Sequence, residues 1–207
     1  MSVKVIKDDL ILIRKAKPDL DEGIAFAHYF NEAAEGFFKS TLGERAFEII
    51  ADAYVKTNNE YSYENVVVIE YKGDIVGMAS GYTYFEKVGF EKRILSEFKA
   101  GAKFRIRVFS LISKFLSRAL GPRCDDEYYL QAIAISSEVR GKGLGQRLLN
   151  HSQGIAIEKG ARLLSLDVSS KNENAISSYN KFGMSVASNW PNFLGIPPVF
   201  TRMVKKL

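Results

Sequence analysis

The chain has 207 residues, 46% hydrophobic and 26% charged, with a formal net charge of +5, enough to bury one core and no reason to require a second domain. No uninterrupted apolar run approaches the roughly 18 residues of a membrane span, and the first residues lack the apolar region of a secretory leader. Cys124 is the only cysteine, which excludes an intramolecular disulfide and suits a reducing compartment, so a cytoplasmic protein with a single domain over residues 1–207 is expected.

Residues 10–14 form a short apolar run that reads as a first strand. Pro18-Asp19 follows, with Asp19 as a helix N-cap, and Leu20, Ile24, Ala27, His28 and the residues from Phe30 to Ala34 recur at near-helical spacing, then Phe37 and Phe38. After Gly43 a second helix is expected over residues 44–56, with Ala46, Phe47, Ile50, Ala53 and Tyr54 on one face. Residues 66–71 and 75–82 are two β-rich runs around Lys72-Gly73-Asp74, an antiparallel hairpin.

Residues 86–123 carry ten basic residues and three acids, a net of +7. Within them Phe104, Val108, Leu111, Ile112, Phe115, Leu116 and Ala119 follow an amphipathic helical period, and Ile94, Leu95 and Phe98 suggest an earlier helix. Such an apolar stripe needs a cover: the domain's own helices first, a second copy of the chain (a homodimer) next, a lipid surface last. Nucleic acid fits least, because the basic residues alternate with that stripe and not with exposed aromatic side chains.

Residues 130–149 then read as strand, turn, glycine-spaced loop and helix. Glycines at 141, 143 and 145 let the backbone approach a ligand, and the helix that follows aims unpaired N–H groups at an anion. The spacing is not G-x-G-x-x-G, since Gln146 and Leu148 stand where the last glycine would be, and no Gly-Lys-Ser or Gly-Lys-Thr occurs. Arg140-Gly141-Lys142-Gly143-Leu144-Gly145 instead matches a Q/R-x-x-G-x-G/A turn. Further on, Gly160 closes the helix, residues 162–168 form a buried strand, and residues 174–182 a helix ending at Gly183. Asn172, Ala175, Tyr179 and Gly183-Met184 fit an N-x-x-A-x-x-x-Y-x-x-x-G-F segment, with Met for Phe at the end. Residues 185–187 and 199–204 are expected to pair as the last strands.

Through these two motifs the chain resembles the GCN5-related N-acetyltransferases (GNAT) from about Val66 to Met203. The resemblance implies an α/β fold with a central mixed, mostly antiparallel twisted sheet of about seven strands flanked by helices. Residues 86–123 are then a helical insertion before the coenzyme A-binding strand, placed at the acceptor end of the cleft, where its charge would attract anionic acceptors. It implies acetyl-CoA as cosubstrate, and a primary amine of a small molecule or a protein amino group as acceptor. The turn residues Arg140, Gly141, Lys142, Gly143, Leu144, Gly145 and Gln146 would hold the pyrophosphate. Backbone groups of Ile133, Ala134 and Ile135 would hold the pantetheine arm, with Asn172 as a further coenzyme A contact. Tyr179 would be the general acid at the sulfur. Glu127, at the start of the ligand strand, is the candidate general base against a reading as a solvated edge charge, and water is the alternative. The aromatic pair Phe37 and Phe38 is read as core before substrate contact. A non-catalytic acyl-CoA-binding module and a membrane-docked protein are the competing functions. His28 and His151 without H-x-x-x-H or C-x-x-C spacing indicate no metal.

Overall fold

The computed structural model describes residues 10–97, 123–191 and 197–207. The amphipathic stretch of the insertion lies outside them. Seven strands form one sheet: β1 (Ile11–Lys15), β2 (Val66–Tyr71), β3 (Asp74–Thr83), β4 (Glu127–Ile135), β5 (Leu163–Ser169), β6 (Ser185–Trp190) and β7 (Phe200–Lys206), in the spatial order β1-β2-β3-β4-β5-β7-β6. Every pairing is antiparallel except β4 with β5. The helices are α1 (Leu20–Ala33), α2 (Phe37–Leu42), α3 (Ala46–Tyr54), α4 (Tyr84–Glu97), α5 (Leu144–Glu158) and α6 (Glu173–Lys181). None of them is long and apolar enough to cross a membrane among the described residues.

Strand alternation sorts the core into two layers. Val67 and Ile69 of β2, Leu164, Leu166 and Val168 of β5 and Met203 of β7 face α5 and α6, where Leu144, Leu148, Leu149 and Ala156 meet them. Val66, Val68 and Met78 face the other way onto Phe26, Phe30, Ile50 and Tyr54 of α1 and α3. Phe38 is buried in that second layer and Phe37 packs beside it, so this aromatic pair is core.

Asp19 caps α1, its carboxylate accepting the Glu22 N–H at 2.9 Å. The helix stops where Glu35 and Gly36 both take positive φ, 51° and 84°, which separates α1 from α2. At the other side of the sheet α4 begins directly at the end of β3. Thr83 and Glu86 form a reciprocal capping box there: the Glu86 carboxylate accepts the Thr83 N–H at 2.8 Å, and Thr83 Oγ1 accepts the Glu86 N–H at 3.3 Å. Phe90 of α4 is thereby set against Tyr82 and Tyr129.

Candidate functional site

β4, α5 and β5 make the one parallel crossover in the sheet, so the C-terminal ends of both strands and the N-terminal ends of α5 and α6 gather at one edge, where α/β folds place ligands. The two strands pair at only three positions, Glu127 with Leu163, Tyr128 with Leu164 and Tyr129 with Ser165. Beyond Tyr129 both strands continue without pairing to each other, to Ile135 and Ser169. The parting coincides with a β-bulge: Ala132 opposes Ser80 and Leu130 opposes Gly81, which leaves Gln131 as an extra residue in β4. A bulge bends its strand and resets which residues face which side.

The gap exposes backbone. The Ser136 N–H donates to Val76 O on β3 at 2.8 Å, so by alternation Ala132 and Ala134 turn their main-chain groups to β3, while Ile133 and Ile135 turn theirs toward the gap. The Ile135 carbonyl follows this rule, accepting Arg140 Nε at 3.0 Å. Of the three strand residues expected to offer backbone to a ligand, Ile133 and Ile135 are so oriented. Ala134 is not, because its register partner Met78 claims that edge.

Above the gap lies the glycine turn. Gly141 and Gly143 have φ of 73° and 80°, the left-handed region, and a Cβ at either would meet nothing within 4 Å. Gly143 caps α5 without a side-chain hydrogen bond. The first intrahelical bond runs from the Arg147 N–H to Gly143 O at 3.1 Å, so the N–H groups of Leu144, Gly145 and Gln146 have no intrahelical partner at the positive end of a 15-residue helix. The Leu144 side chain is core, so only its backbone serves here. Lys142 adds positive charge, and Arg140, half exposed, ion-pairs with Glu32 of α1, which joins the turn to the opposite layer.

α6 presents a different N-terminus. Asn172 Oδ1 accepts the Ala175 N–H at 3.1 Å, so this helix caps itself, and the Asn172 Nδ2 remains to face a ligand. Two turns along, Tyr179 packs on the apolar layer that contains Ile133 and Ile135. Burial pushes its phenol up to about 12, so it keeps its proton throughout the neutral range. Its hydroxyl has no hydrogen-bond partner among the described residues.

Glu127 does not stand where a base would. It is 2% exposed, at the closed end of the β4–β5 pair. Its carboxylate ion-pairs with Arg202 of β7 and accepts the Arg123 N–H at 2.5 Å. Neither a solvated edge charge nor a free base describes it: a buried carboxylate requires such partners. The Arg202 guanidinium reaches across β5, donating to Asp167 Oδ2 at 2.8 Å and to Ser165 Oγ at 3.2 Å, and it lies over the Tyr129 ring at 5.7 Å. This network ties β4, β5 and β7 together just below the point where β4 and β5 part. Sequence alternation places Glu127 and Tyr129 on one face, but Arg202 is 75 residues away and its position depends on the β5–β7 register. Cys124 is exposed as a residue, yet partial desolvation of its thiol together with Asp126 and Glu127 pushes it up to about 11, the reverse of an activated nucleophile. Among the described residues no three His, Cys, Asp or Glu side chains gather as a metal site would require.

Comparison with known proteins agrees with this geometry. Residues 59 in number, 28% of this chain and 39% of the relative's length, are 42% identical to a protein of Bacillus subtilis (strain 168) provisionally named a [ribosomal protein bS18]-alanine N-acetyltransferase. An N-acetyltransferase of Staphylococcus aureus Mu50 superposes with a TM-score of 0.66 at 18% identity, over 94% of this chain and all of that one. The yncA protein of Salmonella typhimurium, provisionally an acetyltransferase and solved with its cofactor acetyl-CoA, gives 0.56 at 18% identity over 95% and 94% of the two chains. The profile of the Acetyltransferase (GNAT) family matches residues 25–184; with the parted parallel strands and the uncapped glycine turn above them, the chain belongs to that family.

Proposed function

We propose that the protein is an acetyl-CoA-dependent N-acetyltransferase whose acceptor is a primary amine of a small molecule or a protein amino group. The observation that carries the proposal is the uncapped α5 N-terminus beside an unpaired β4 edge, donors for an anion and for an extended amide-bearing chain in one continuous opening. The residues present fit acetyl-CoA: N–H groups of residues 144–146 with Lys142 for the pyrophosphate, and Ile133 and Ile135 main chain for the pantetheine amides. Asn172 Nδ2 is assigned as a further contact. The bound cosubstrate supplies an acetyl group activated as a thioester.

What the chain contributes is position, a polar backbone and one proton donor. Tyr179 donates a hydrogen bond to the departing sulfur. With its phenol at about 12 and an ordinary thiol near 8.5, complete proton transfer is uphill by roughly 5 kcal/mol, so the hydroxyl stabilises the charge more than it discharges it. The acceptor sheds its proton to water, since Glu127 is committed to Arg202. The bacterial relative's name makes a peptide with N-terminal alanine one acceptor to try.

The test is coenzyme A release from acetyl-CoA across a panel of small amines and peptides, including peptides beginning with alanine. Amine-dependent release with a stoichiometric acetylated product supports the proposal. Tight acetyl-CoA binding with no release for any amine would leave a binding module instead.

A further inference from the structure

A cavity of about 310 Å³ opens at the opposite end of α5 from the glycine turn, between that helix and strands β1 to β4. Ser152 lies eight residues beyond Leu144, about 12 Å along the helix axis at 1.5 Å per residue, so the cavity is separate from the opening assigned to acetyl-CoA. Its inner walls are apolar, supplied by Val67, Ala79 and Ile155. Three hydroxyl-bearing residues share the lining: Ser80, whose Oγ donates to Gln131 Oε1 at 3.4 Å, and Ser152 and Tyr128. Ser152 is 2% exposed and Tyr128 is 3% exposed, and neither hydroxyl has a hydrogen-bond partner among the described residues. A buried hydroxyl without a partner costs stability unless something else satisfies it, and among the described residues no fully enclosed side-chain oxygen or nitrogen lacks a partner. Both hydroxyls therefore open onto the cavity that they line.

The rim carries both signs of charge. Lys15 and Lys159 stand with Glu64 and Glu158. Lys159 is engaged by Glu86 at 2.6 Å, and Glu64 accepts the Asn58 N–H at 2.9 Å, whereas Lys15 and Glu158 are exposed with no ion-pair partner among the described residues. A purely anionic or purely cationic ligand would meet repulsion from half of this rim. A molecule with an ammonium, a carboxylate and a short apolar body would match rim and walls together.

We propose that this cavity is a second binding site, for a small zwitterion of the free α-amino acid class, with Lys15 and Glu158 taking its charges and Tyr128 and Ser152 its polar atoms. The site is independent of the acetyl-transfer reading, and acetyl-CoA affinity serves as the separate control.

Isothermal titration of the full chain with three probes of one shape tests it: L-leucine, 4-methylpentanoate, which lacks the ammonium, and 3-methylbutylamine, which lacks the carboxylate. L-leucine should bind at least about tenfold more tightly than either analogue. Tyr128→Phe should weaken it about three- to tenfold, the worth of one hydrogen bond. Ser152→Met, which intrudes on the cavity and removes one hydroxyl, should weaken it at least about tenfold with acetyl-CoA affinity intact. Glu158→Lys alters an exposed position where folding is not at stake, and should weaken L-leucine at least about tenfold while improving 4-methylpentanoate. No heat from L-leucine at up to about 10 mM, equal affinity for the three probes, or unchanged L-leucine affinity in Glu158→Lys would each overturn the assignment.

Discussion

A phenol held near 12 is a hydrogen-bond donor at every pH the protein would meet, and this decides how Tyr179 should behave under mutation. Tyr179→Phe keeps the ring on the apolar layer against which it packs and removes only the donor. Turnover should fall about 10²-fold, acetyl-CoA affinity should stay within a few-fold, and neither limb of the pH–rate profile should move. Wild-type turnover in this variant would show that the hydroxyl has no part in the slow step. Glu22 illustrates the same physics in the frame of the fold. Burial alone would raise its carboxyl, but hydrogen bonds from Arg14, the Lys17 N–H and Tyr54 outweigh that and hold it below the ordinary value. A carboxylate depressed in the folded state contributes stability that is complete above the ordinary value of about 4.3 and is lost as pH falls through the depressed folded value. Glu22→Gln should therefore lower stability at pH 7 and flatten the acid limb of the stability curve below about pH 4.3, measured by urea unfolding across pH. Equal loss at pH 7 and pH 3 would exclude this role. The motif residues were legible in the sequence because each is local: Asn172 and Tyr179 keep their spacing on one helix. Glu127 was not, because its partner comes from the far end of the chain.

At the scale of elements, hydrophobic period and turn chemistry marked the β2–β3 hairpin, α5 with its glycine turn, β5, α6 and the final strand pair. The break between α1 and α2, the start of α4 and the β4 bulge are not among these. The Thr83-x-x-Glu86 capping box is a sequence signal that starts α4 directly at the end of β3, and it could have been read. The bulge at Gln131 carries no such signal, since it arises from β3–β4 register. Capping separates the two roles open to Asn172. Asn172→Asp keeps the oxygen that accepts the Ala175 N–H and removes the amide donor, so stability should hold within about 0.5 kcal/mol while acetyl-CoA affinity drops several-fold. Unchanged affinity would make Asn172 a cap and nothing more. The Arg202 network acts between elements. Arg202→Met would leave the carboxylates of Glu127 and Asp167 without the guanidinium that bridges them, and should cost about 3–5 kcal/mol, with Glu127→Gln added in the same chain restoring part of the loss. A cost under about 1 kcal/mol would mean that the pair is solvated and does not clamp the strands.

Across the whole molecule, one parallel pair in an otherwise antiparallel sheet creates the opening: the network of Glu127, Arg202 and Asp167 holds the strands together at one end, and the bulge and the glycine turn shape the other. The layering follows from alternation that the sequence displays, whereas the strand order and the parting of β4 and β5 follow from tertiary pairing and are visible only in the fold. The proposed acetyl transfer depends on the claim that the turn above that opening holds the pyrophosphate of acetyl-CoA. Gly143→Asp tests it most directly. A Cβ at residue 143 meets nothing within 4 Å, and aspartate tolerates the left-handed backbone better than most residues, so the variant should fold. Its carboxylate would set a negative charge among the N–H donors at the start of α5. Calorimetric titration with acetyl-CoA should show affinity reduced at least about 100-fold in a variant whose unfolding curve remains cooperative. Wild-type affinity in that folded variant would contradict the account.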